Sequence, residues 1–127
     1  FFANTGRVFR LPAYEIPEMQ RTAKGQPIVQ SLALAKDESV SAILDLTNTI
    51  GKHLFLISAQ GTVKRIDIAE IANIRASGLI VMKPHDGDSL RWVRVTDGTD
   101  NILMVSRGGK AIQFPETDVR VMGRAAA

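Results

Sequence analysis

A chain of 127 residues, 45% hydrophobic and 23% charged, has the length of one small domain and an ordinary globular composition that excludes a disordered protein. Cysteine is absent, which excludes disulfides and thiolate metal sites and fits a reducing cytoplasm. The net charge of +3 suits a plain soluble surface, or a polyanion partner where the basic residues share one face.

In chain order, Phe1-Phe2-Ala3 is too short for a signal-peptide core and reads as the inside of a strand. Thr5-Gly6-Arg7-Val8-Phe9-Arg10 predicts a glycine turn and a returning strand. The phrase recurs as Gln60-Gly61-Thr62-Val63-Lys64-Arg65 and as Gly108-Gly109-Lys110-Ala111-Ile112-Gln113. Each copy follows an apolar run and leads to an acid-plus-aliphatic pair, Glu15-Ile16, Glu70-Ile71 or Asp118-Val119. The step from glycine to acid is nine every time (15−6, 70−61, 118−109). A repeat of roughly 50 residues marks propeller blades or another stacked array.

Repeat two displays the whole unit. The mostly apolar run His53 to Ala59 reads as a buried strand, Gln60-Gly61 as a turn, and Thr62 to Ile66 as the return. Asp67 to Asn73 is the one candidate helix, too short to stand alone. Gly78 to Lys83 predicts a third strand, closed by Pro84 and the turn His85-Asp86-Gly87-Asp88. Ser89 to Val95 predicts a fourth, with strict alternation placing Leu90, Trp92 and Arg94 on one face. Thr96-Asp97-Gly98 turns into the next copy at Ile102 to Val105. In repeat one, Gln26 to Gln30 corresponds to the third strand, with Pro27 at an edge or first position, and Ser39 to Leu46 to the fourth.

The expectation is therefore an all-β chain, with propeller-like blades of four antiparallel strands in an incomplete ring. Residues 1–52 form the first blade, 53–100 the second and 101–127 the start of a third. The chain reads as a piece of a larger polypeptide. Its terminal blades would expose apolar surface, which predicts a marginal fold alone or self-association through exposed blade edges. No apolar run approaches the roughly 18 residues that cross a bilayer as a helix, so no membrane partner is expected.

Several phrases together resemble the C-terminal domain of the DNA gyrase A subunit, from the bacterial type IIA topoisomerases. They are Asn4 to Phe9, Tyr14 to Glu18, Lys24 to Val29, Gln60 to Arg65, Thr96 to Gly98 and Phe114 to Arg124, in the family's order. The equivalent domain of topoisomerase IV matches the first half less well. The resemblance implies a β-pinwheel of six four-stranded blades with a strand exchanged between neighbours. It implies that double-stranded DNA wraps the basic outer rim, so that an ATP-dependent parent topoisomerase adds negative supercoils. It further implies two protein partners, the rest of the gyrase A subunit plus the gyrase B subunit, in a bacterial cytoplasm, and no cofactor. The family's Gln/Arg/Gly-rich box is not in this sequence; Gln20 to Gly25 occupies an ordinary blade loop. The family's DNA-cleaving tyrosine belongs to another domain, so Tyr14 is not expected to cut DNA.

Arg21, Arg75 and Arg124 stand at offsets of 15, 14 and 15 from the turn glycines (21−6, 75−61, 124−109), with Lys24 close behind the first. A basic loop repeated on successive blades suits duplex phosphates, which need no base readout. Solvated surface arginines are the alternative. Arg7, Arg10, Lys64, Arg65 and Lys110 lie on the hairpins, either as phosphate contacts or as protection of a sheet edge. Trp92, Phe9, Phe55 and Phe114 read as packing residues. Glu15, Glu70 and Asp118 are spread one per blade and read as structural acceptors rather than catalytic pairs. His53 and His85 lack partners at ligand spacing, so no metal site and no catalytic set is expected. A protein-binding propeller with no nucleic-acid role is the competing reading.

Overall fold

Three hairpins organise the chain, each bent at one of the repeated glycines. The computed structural model describes residues 1–49 and 52–126. Strands β1 (Phe2–Ala3) and β2 (Arg7–Val8) flank Gly6. After β3 (Val40–Ala42), strands β4 (His53–Ser58) and β5 (Val63–Asp67) flank Gly61. Two further strands, β6 (Leu79–Ile80) and β7 (Leu90–Thr96), precede β8 (Asn101–Val105) and β9 (Ala111–Pro115), which flank Gly109. The N–H groups of Gly6, Gly61 and Gly109 donate to the carbonyls of Ala3, Ser58 and Ser106. All three glycines take positive φ (+84°, +90° and +77°), which costs a side-chain-bearing residue about 1–2 kcal/mol. Gly6 is doubly constrained, because a Cβ there would lie 2.1 Å from the Met82 carbonyl oxygen.

Each hairpin runs into a short 3-10 turn: Ala13–Glu15, Ile68–Ile71 and Glu116–Asp118. The residue that opens it is Pro12, Asp67 or Pro115, six positions after the glycine in each case (12−6, 67−61, 115−109). Proline fits because its φ is already near the required value and no N–H is lost from a ladder. Asp67 achieves the same start by accepting from the Ala69 N–H at 2.8 Å. These turns contain or abut the repeated acid–aliphatic pairs. The stretch Asp67 to Asn73 thus holds a short 3-10 turn at Ile68–Ile71, not an α-helix.

The first sheet has the order β3-β1-β2-β6, antiparallel throughout. Its fourth strand comes from repeat two: Arg7 pairs with Ile80 and Val8 with Leu79. A strand is therefore exchanged between neighbouring repeats. The second sheet is β5-β4-β7 and the third is the β8-β9 hairpin. Among the described residues, the outer side of β5 meets only a single parallel bridge, Arg65 to Val121.

Two strand expectations are corrected. Gln26 to Gln30 is not a strand; Ile28–Gln30 form a 3-10 turn opened by Pro27. The corresponding stretch of repeat two pairs with the preceding hairpin, and the described residues offer Gln26 to Gln30 no such edge. In β7 the pairing slips between Ile57 and Ser58, so that Trp92 faces Ile57 and Leu90 faces Ser58. Arg91 is the extra residue of this bulge, and it resets the alternation. Leu90 and Val93 are consequently buried, while Trp92 is turned out and 50% exposed. Trp92 is not a core residue.

One apolar cluster unites the first two sheets: Phe2 and Val8 meet Leu54, Leu56, Ile66, Val81, Leu90 and Val93. Each such side chain contributes about 1.5–3 kcal/mol by leaving water. A smaller cluster of Ala3, Phe9 and Leu32 packs beside the exchanged strand's hairpin. No described helix is long and apolar enough to cross a membrane.

Candidate nucleic-acid interface

Each basic loop contains a turn, with Arg21 and Arg124 second in theirs and Arg75 first. A turn closed by the Ala23 N–H on the Gln20 carbonyl holds Arg21. Arg75 opens a turn closed by the Gly78 N–H on its own carbonyl. Arg124 sits in a turn closed by the Ala126 N–H on the Gly123 carbonyl. Gly25, two residues past the first turn, and Gly78, which closes the second, take positive φ (+72° and +81°). Arg21, Lys24 and Arg75 are exposed. Arg124 is partly covered, with its Nε 3.2 Å from a Glu70 carboxylate oxygen.

Strand exchange decides what lies beside these turns. The Phe9 ring lies against Gly78, and Arg7 donates to the Ser77 carbonyl. The loop that carries Arg75 therefore lies against the first hairpin, through Arg7 and Phe9. Arg10 is exposed, as is Lys110.

The remaining hairpin cations are differently placed. Lys64 is 4% exposed and Arg65 is 7% exposed. Lys64 Nζ donates to the carbonyls of Arg124 (2.7 Å) and Ala126 (2.6 Å). Arg65 Nη1 donates to Glu116 at 3.2 Å. Their charged ends are engaged by protein partners instead of standing free at the surface. Arg7 is half-buried, donating to Glu38 at 2.7 Å and to the Ser77 carbonyl, with its guanidinium 4.8 Å above the Phe9 ring.

Two carboxylates that matter carry no repeat signal. Glu116 is completely buried and accepts from the Thr96 hydroxyl and from the N–H groups of Gly98 and Asp100, besides Arg65. Seven positions after the other glycines stand Ala13 and Ile68, so comparison of repeats passes over it (116−109, 13−6, 68−61). A charge at that position just after Pro115 was the only available clue. Burial pushes the Glu116 carboxyl up, but the bonds from Thr96, Asp100, Arg65 and Gly98 outweigh it and hold the pKa below the ordinary value. Glu38 is similar: burial raises it, and Ala35 N–H, the Thr5 hydroxyl and Arg7 bring it below normal. Burial lowers the Lys64 ammonium, with Glu70 opposing.

Of the repeated acids, Glu70 acts as the expected arginine acceptor, while Glu15 and Asp118 stand exposed. Asp97, Asp100 and Glu116 converge, but as a turn. The Asp97 carboxylate takes the Thr99 N–H and hydroxyl, and Asp100 takes the Asp97 N–H. Asp97, Asp100 and Glu116 thus spend their oxygens on ordering the backbone of the turn.

A family model described as "DNA gyrase C-terminal domain, beta-propeller" matches residues 1–46, 52–97 and 100–127. The chain belongs to the DNA gyrase C-terminal domain family. The three matched blocks follow the three glycine hairpins. The DNA gyrase A subunit of Halalkalibacterium halodurans is 45% identical over 99% of this chain and 15% of its own length. Its Escherichia coli K12 counterpart is 40% identical over 96% of the chain and 14% of its own length. The chain thus spans about 15% of the curated gyrase relatives it matches. Among solved structures, the C-terminal domain of DNA topoisomerase IV superposes with a TM-score of 0.81 at 25% identity, over 96% of this chain and 38% of that one. The DNA gyrase A C-terminal domain gives 0.74 at 26% identity, over 97% and 39%. Both share the fold, and topoisomerase IV is no nearer in sequence than gyrase.

Proposed function

We propose that this chain is a non-catalytic module that binds and wraps double-stranded DNA with little regard to sequence. It would serve a gyrase-type parent in adding negative supercoils, its protein partners being the B subunit plus the remainder of the A subunit. The carrying observation is the basic turn, repeated after each hairpin and exposed at Arg21, Lys24 and Arg75. Arg10 and Lys110 add exposed charge on the hairpins, and Arg124 adds a partly available one.

The physics suits positions rather than base readout. Each phosphate neutralised releases counterions, so affinity falls steeply with salt. Bending a site by tens of degrees costs about 1–6 kcal/mol, which several phosphate contacts must outweigh. The test is a gel shift of this chain, and of the gyrase-type parent, with random-sequence duplex at rising salt. A steep log–log slope, equal across sequences, is expected. Absent or salt-insensitive binding by the parent's C-terminal domain overturns the reading.

A further inference from the structure

We propose that Arg7 and Lys64 are positioning residues: each clamps the basic turn of the next repeat against its own hairpin, so that the arginine of that turn is presented to DNA. This rests on the proposal that Arg75 and Arg124 meet phosphates, and it gives the hairpin cations a different role.

Both contacts cross a repeat boundary. The Arg7 guanidinium forks, one nitrogen on Glu38 and the other on the carbonyl of Ser77, inside the turn that Arg75 opens. Glu38 is itself fixed by the Thr5 hydroxyl and the Ala35 N–H. The Phe9 ring lies under the guanidinium and against Gly78, where a Cβ would come within 2.8 Å of the ring. The turn is therefore seated on a ring and tied by a planar cation.

In the next hairpin a different residue does the same work. Lys64 donates to two carbonyls of the 123–126 turn, those of Arg124 and Ala126. Glu70 adds a tie by accepting from the Arg124 backbone N–H at 3.4 Å, while its contact with Arg124 Nε at 3.2 Å takes up part of that guanidinium. Arg7 is one residue past its glycine and Lys64 three past (7−6, 64−61). What recurs is the contact, not the residue or its place. Charge-assisted bonds to carbonyls are short and roughly twice as strong as neutral ones, which suits a tie to a surface turn.

Binding of random-sequence duplex by the gyrase-type parent, measured against salt, tests this with Arg75→Ala, Arg7→Ala, Arg7→Lys and the double variant Arg7→Ala/Arg75→Ala. Lysine keeps the charge but cannot fork to Glu38 and Ser77 together. Arg75→Ala should lower the salt slope by about 0.9. The double variant should lose no more than Arg75→Ala alone, and Arg7→Lys should fail to restore affinity. Hydrogen exchange at Ser77 and Gly78 should rise in Arg7→Lys while protection in β4 holds. An additive slope loss of about 1.8 in the double variant, with rescue by lysine, would make Arg7 a direct phosphate contact and overturn the clamp. Unchanged exchange at Ser77 and Gly78 would overturn it as well. An unchanged slope in Arg75→Ala would instead defeat the DNA reading of that turn, with the exchange measurement still deciding the clamp.

Discussion

Arg65 and Glu116 form an ion pair at 3.2 Å inside the protein, with 9% and 0% of their side chains exposed. The pair joins the return strand of the second hairpin to the turn that follows the third. Glu116 also ties down the Thr96–Asp100 turn through three further donors at 2.7, 2.7 and 2.9 Å. Removing one partner of a buried pair strands the other charge, at a cost of about 3–5 kcal/mol. Glu116→Ala should therefore lower unfolding free energy by roughly that amount. Glu116→Gln keeps one carbonyl oxygen for the backbone donors and should cost about 1–3 kcal/mol. Urea denaturation measures both, and a loss under about 1 kcal/mol in the alanine variant would show the pair to be dispensable.

Acid should unfold the protein through the same carboxylates. Glu116 and Glu38 both have pKa values below the ordinary 4.5. Between the folded and unfolded values, the unfolded chain binds more protons, so stability falls as pH falls through that window. Above pH 4.5 the contribution is fully present. Denaturation midpoints from about pH 7 down to about pH 3 should drop on the acid side, and Glu116→Gln should flatten that limb. A limb identical to that of the unaltered chain would assign it to other acids.

The hairpins were legible in the sequence because their cause is local, a glycine that must take positive φ; the proline or aspartate six positions on, which opens a 3-10 turn, went unread. The exchange of β6 was not legible from local pattern, since Leu79–Ile80 reads equally well as part of its own repeat. It was anticipated only through the family resemblance. Alternation along β7 misplaced Trp92 because the bulge at Arg91 depends on pairing with β4. Lys64 and Arg65 read as surface cations because alternation assumes that a strand has a solvent face. Here the turn after β9 and the segment behind it cover β5, and both charges go inward. Glu116 stayed hidden because only the third repeat has an acid there.

Gly78 and Gly25 provide a comparison of space at similar backbone conformation. Both have positive φ, +81° and +72°, but only Gly78 touches a neighbour, the Phe9 ring. Gly25→Ala should cost the backbone penalty of about 1–2 kcal/mol. Gly78→Ala should add an overpacking cost of about 1–3 kcal/mol, since the ring must move. Thermal unfolding of the two variants reads the difference. Equal losses would mean that Phe9 yields freely and does not seat the turn.

The exposed turns should not contribute equally to DNA binding. Arg21 and Arg75 are at the surface, whereas the Arg124 Nε is 3.2 Å from Glu70 and must share its charge. Replacing Arg21 or Arg75 by alanine should lower the salt slope by up to about 0.9 each, alike for all duplex sequences. Arg124→Ala should lower it less, and Glu70→Gln should strengthen binding by releasing the guanidinium. Arg65→Met should leave the slope unchanged wherever the protein remains folded, because that charge is already engaged by Glu116. Salt titrations of the gyrase-type parent carrying each change separate these outcomes. A slope loss for Arg65→Met as large as for Arg75→Ala would mean that the buried cation turns outward to meet DNA.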